Sequence, residues 1–217
     1  MADTTKMANV VSILRKEMKK YEEPALTEIS KDRNPFKVLI SCILSLRTRD
    51  ETTERVSRNL FSVADTPQKI ANMPLSRLQK IIMPINYYKT KAKRIKEISR
   101  QLVKHYDSRV PNSMDGLLKF KGVGRKTANI VMVYGFEKPG IPVDVHVHVV
   151  ANRLGWVRTK TPEKTEEELR KILPKRYWME LNDLFVVHGQ NICQTRNPRC
   201  HICPVKRYCE YYEKYVK

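Results

Sequence analysis

The chain has 217 residues, with 42 Lys and Arg against 23 Asp and Glu, a formal charge of +19. Such a field favours a polyanionic partner, most often nucleic acid, although a lysine-rich surface of the ribosome-associated kind has the same charge. No run approaches the roughly 18 apolar residues of a membrane span, and the start "MADTTKMANVV" has no basic region followed by an apolar one. A monomeric protein with no membrane association is expected, cytoplasmic in a prokaryote and nuclear in a eukaryote.

Helical patterns follow one another along the chain. "ANVVSILRKEMKKY" places Val10, Val11, Leu14 and Met18 on one side of an amphipathic helix. "NPFKVLISCILSL" is apolar nearly all round and predicts a buried central helix with Pro35 in its first turn; Cys42 within it is a small buried hydrophobe. Asp50 can cap the next helix, whose Val56 and Leu60 face inward. Short helices fit "TPQKIANM" and "SRLQKII". A longer one fits "KTKAKRIKEISRQLVKHY", with Ala92, Ile95, Ile98 and Leu102 on its apolar face. No hairpin signals interrupt the series, so the fold class is all-α.

One segment objects. "VDVHVHVV", residues 143–150, alternates with period two and sets Asp144, His146 and His148 on one face of a hypothetical strand, as metal ligands would be set. A lone strand has no partner, however, and Asp144 can instead cap a helix that ends at Gly155. His146 and His148 would then point in different directions, and a shared metal is not expected.

Upstream, "LLKFKGVGRKTANIVMVYGF" spans residues 117–136. Gly122 and Gly124 permit a tight turn between helices and leave backbone amides uncovered, an arrangement that can hold a phosphate. Arg125 and Lys126 follow at once. The C-terminus carries Cys193, Cys200, Cys203 and Cys209, with six, two and five residues between successive members. Four thiolates suit either zinc or an iron–sulfur cluster; a single C-x-x-C departs from the two close pairs common in structural zinc sites. His201 lies among these cysteines and is expected on the surface.

"FKGVGRKTANIV", followed eighteen residues after Lys126 by the Asp144 of "VDVHVHVVANRLG", resembles the helix-hairpin-helix DNA glycosylase superfamily and, within it, the endonuclease III family. The likeness extends from "NPFKVLISCILS" through "NYYKTKAKRI" to the terminal cysteines. It implies two helical domains with a DNA-binding cleft between them. One comprises residues 28–138 with the hairpin and Lys126; the other comprises 1–27 plus 139–217 with Asp144 and the cysteines. It further implies a bifunctional glycosylase and abasic-site lyase that removes oxidised pyrimidines from double-stranded DNA, with Lys126 as nucleophile and Asp144 as its partner. The hairpin, through Gly122, Gly124 and Arg125, would grip backbone phosphate, with a monovalent cation on its carbonyls. The four cysteines would hold a 4Fe-4S cluster, and Arg196 and Arg199 on the loop between the first two would meet DNA phosphate.

The sequence departs from the family pattern at several positions. Arg47 stands where the family has a glutamine that fills the gap left by a flipped nucleotide, and Tyr87 where it commonly has a leucine wedge; both can stack on bases. Lys121 replaces the hairpin's usual proline, Val145 a threonine and Val149 an arginine. Two alternatives stand beside this reading. One is a mismatch glycosylase for T or U opposite G, against which Lys126 weighs, and the other is a non-catalytic DNA-binding module.

Overall fold

The computed structural model describes residues 4–21 and 31–217. Among these residues every regular element is helical. They form two compact units, residues 31–138 and residues 4–21 with 139–217. The expected boundary between residues 27 and 28 lies outside the described residues.

The 31–138 unit is built around the helix Pro35–Ser45. Asn34 starts it, its side-chain oxygen accepting from the Phe36 and Lys37 amides at 3.0 and 3.2 Å, and Pro35 occupies the first turn, where a missing N–H costs nothing. Phe36 and the whole of Val38 to Leu44 are buried. A helix apolar all round must be covered all round. The Asp50–Val63 and Tyr88–His105 helices pack on it, as does the continuous segment from Arg125 to Gly135. In Tyr88–His105 the expected Ala92, Ile95, Ile98 and Leu102 are buried, together with Lys91 and Lys96.

Asp50 does not cap its helix. Arg49 takes the extended cap conformation and its carbonyl accepts from Thr53 N at 2.9 Å, which makes Asp50 the first helical residue. With Glu51 it still places negative charge at the positive end of the helix dipole.

In the other unit, Met7, Val10, Val11, Leu14 and Met18 are buried. The first helix, Thr4–Glu17, packs on Trp178–Asn191, as does Val145–Arg153. The period-two segment is therefore helical. Asp144 caps it, accepting from Val147 N at 2.9 Å, and Gly155 ends it with φ +77. The two histidines diverge as the helical reading requires. His146 lies against Gly189, where an added Cβ would stand 2.7 Å from its Nδ1, while His148 Nδ1 meets Thr165 Oγ1 at 2.7 Å.

Candidate functional site

The hairpin joins the short helices Met114–Leu118 and Arg125–Ile130. Val123 N bonds back to Phe120 O at 3.0 Å and Val123 is buried, which pins the turn to the core. Gly122 adopts φ +87, a conformation that favours glycine; a Cβ there would also meet the Arg94 side chain at 2.5 Å, but that is the movable end of a flexible arginine, so it is conformation and not space that calls for glycine. Gly124 differs: its φ is ordinary and an added Cβ would meet nothing within 4 Å. The open face at the start of the next helix leaves room for something outside the protein to approach the backbone.

Arg125 and Lys126 occupy the first turn of that helix and are exposed, while Thr127, Ala128, Asn129 and Ile130 behind them are buried. Lys126 is near enough for its charge to act on the Cys42 thiol, which burial pushes up to about 12. Cys42 is 2% exposed and inert at neutral pH, as the sequence led one to expect. Asp144, in the other unit, is half-buried, and its role as helix cap fixes the direction of its carboxylate.

Arg47 and Tyr87 are both exposed, and both have left-handed backbone, with φ 55 and 58. Arg33, Asp107, Ser108, Glu137 and Asn197 share that conformation, so backbone strain alone singles out neither. What distinguishes this pair is a direct tie: Asn86, next to Tyr87, donates from its side-chain amide to the carbonyl of Arg47.

The four terminal cysteines, with Arg153, His188 and Val205, line one cavity. Burial pushes Cys203 up to about 12 and raises Cys193 and Cys209 as well, and the Arg153 guanidinium acts against this at Cys193. Without a cation these thiols stay protonated, and a bound metal would displace the protons. Among the described residues no three His, Cys, Asp or Glu side chains form a site for a single ion. Arg153 holds the loop that leads away from Cys193, donating to Cys193 Sγ at 3.3 Å, Gln194 O at 2.8 Å and Thr195 O at 3.0 Å. Its guanidinium also stacks on Tyr211, 4.9 Å from the ring centre. Arg196 and Arg199 on this loop are exposed, as is His201. Nothing in the local pattern around Arg153 marks it for this role, because its partners lie some 40 residues away.

A model of the HhH-GPD superfamily base excision DNA repair proteins matches residues 40–175. The chain is 52% identical to the endonuclease III of Thermotoga maritima over 184 residues, 85% of this chain and 86% of that one. With the endonuclease III of Haemophilus influenzae the identity is 34% over 210 residues, 97% of each chain. Among solved structures, a non-covalent endonuclease III–DNA complex aligns with a TM-score of 0.86 at 32% identity, covering 99% of this chain and 98% of that one. A trapped endonuclease III–DNA covalent intermediate aligns at 0.78 and 35%, covering 85% and 87%. The chain thus belongs to the HhH-GPD superfamily of base excision DNA repair proteins and, within it, to the endonuclease III family.

Proposed function

We propose that the protein is a bifunctional DNA glycosylase and abasic-site lyase that removes oxidised pyrimidines from duplex DNA. The observation that carries this reading is an exposed lysine, Lys126, on the first turn after an open-faced glycine hairpin, in a chain whose relatives include one trapped covalently on DNA. The Lys126 amine attacks C1′ and the base departs with the glycosidic electron pair. Opening of the sugar ring leaves a Schiff base that acidifies the C2′ proton, and loss of that proton expels the 3′ phosphate. Asp144 takes up the proton that Lys126 loses and stabilises positive charge developing on the sugar.

The hairpin grips backbone phosphate through Gly122, Gly124 and Arg125, its carbonyls being available to a monovalent cation. Arg47 fills the gap left by the extruded nucleotide, Tyr87 wedges the stack, and Arg196 and Arg199 meet phosphate. Duplexes carrying single defined lesions, incubated with borohydride, test the reaction. Oxidised pyrimidines should yield both strand scission and a reduced protein–DNA adduct. Base release from T or U opposite G with no adduct would put a mismatch glycosylase in its place.

The four cysteines fit a 4Fe-4S cluster: they line one cavity and carry no disulfide, and their single C-x-x-C departs from the two close pairs common in structural zinc sites. When bound, the cluster would cross-link the C-terminal loop through four Fe–S bonds. Protein purified without oxygen is expected to contain about four iron and four sulfide per chain. One zinc and no iron would overturn this assignment.

A further inference from the structure

Lys91 is 3% exposed and sits on the buried face of the Tyr88–His105 helix. A buried ammonium is costly unless every N–H finds an acceptor. Here the three protons have three: Leu44 O at 2.8 Å, Leu46 O at 2.6 Å and Thr48 Oγ1 at 3.2 Å. The first two are carbonyls at the end of the Pro35–Ser45 helix, which has no further turn to satisfy them. Leu46 and Thr48 are the two neighbours of Arg47. The carbonyl of Arg47 itself is held by Asn86, and the backbone N–H of Lys91 donates to Tyr87 O at 3.0 Å. Residues 46, 47 and 48 are thus each tied to the segment 86–91, which carries Tyr87.

We propose that Lys91 is a positioning residue for base extrusion, its ammonium clamping the Arg47 loop to the Tyr87 turn so that the two side chains enter DNA as one preset unit. This rests on the base-extrusion reading of Arg47 and Tyr87 given above. Burial pushes Lys91 down to about 8, with Arg94 adding to the effect, and at neutral pH the ammonium that the three acceptors require still predominates. Preset geometry matters because misplacement by about 1 Å can cost on the order of a hundredfold in rate.

Lys96 supplies a matched control. It is likewise buried and donates to two carbonyls at the end of another helix, those of Ala71 and Met73, but that helix carries none of the residues assigned to DNA. Lys91→Met should slow excision from a paired lesion duplex about 10- to 100-fold. Fluorescence of 2-aminopurine placed beside the lesion should show the same loss of unstacking, while cleavage of a ready-made abasic site stays near the wild-type rate. Lys96→Met should lower the melting temperature comparably and leave the ratio of the two activities unchanged. Equal loss on both substrates in Lys91→Met, or the same pattern in both lysine variants, would overturn the proposal.

If Lys91→Met does not fold, Asn86→Ala cuts the other tie from an exposed position and must shift the ratio in the same direction; an unchanged ratio overturns the proposal. Arg47→Ala and Tyr87→Ala are measured alongside. If neither shifts the ratio, the extrusion reading itself fails; if they shift it and Lys91→Met does not, only the clamp fails.

Discussion

Lys126→Gln is expected to abolish borohydride trapping and to lower strand cleavage by at least about a thousandfold, the scale on which loss of a covalent nucleophile is felt. A glutamine amide has no basic lone pair on nitrogen and forms no Schiff base, yet it matches the lysine stem in length and helix propensity. Lys126 is exposed, with the packing of its helix carried by Thr127 to Ile130, so the substitution should change stability by no more than about 0.5 kcal/mol. Binding to lesion-containing duplex, measured at fixed salt, should fall only by the contribution of one charge. Trapping at the wild-type rate in Lys126→Gln would move the chemistry to another amine.

Asp144→Asn should slow base release about a hundred- to a thousandfold, because a neutral amide neither stabilises a developing sugar cation nor accepts the proton from Lys126. Asparagine is the informative replacement. It is as good a helix cap as aspartate, so the bond from Val147 N at 2.9 Å keeps an acceptor. Asp144→Ala would remove the cap as well and cost about 0.5–2 kcal/mol, mixing a fold effect with a chemical one. Single-turnover base release from a lesion duplex, with the melting temperature recorded in parallel, separates the two. Wild-type release by Asp144→Asn would remove the carboxylate from the mechanism.

Helices were legible where their causes are local. Pro35 in the first turn of its helix, the apolar stripe from Ala92 to Leu102 and the Asp144 to Gly155 start and stop all act within a turn or two. Asp50 was misassigned because a cap is defined by one residue's φ and ψ, and the sequence offered an acidic side chain one position beyond the residue that takes that conformation. The hairpin was visible in its two glycines. Their different reasons were not: Gly122 needs a left-handed backbone beneath Arg94, whereas Gly124 needs neither conformation nor internal space. The burial of Lys91 has a local signal, a lysine falling on the apolar stripe of its own helix, but nothing local names the groups that meet it.

By itself the sequence determined the all-helical class, the strongly positive surface and the order of hairpin, capped helix and cysteine loop, since each depends on spacing over a few residues or on net charge. Only the tertiary structure decided which groups those residues meet. Lys91 reaches acceptors 43 to 47 positions away, Arg153 grips a loop 40 to 42 positions away, and His146 and His148 turn to different neighbours. Buried donors and acceptors must be satisfied somewhere, and a local pattern states the requirement without naming the partner. That choice is made by packing, when helices distant in the chain close on one another and leave each buried polar group few acceptors within reach.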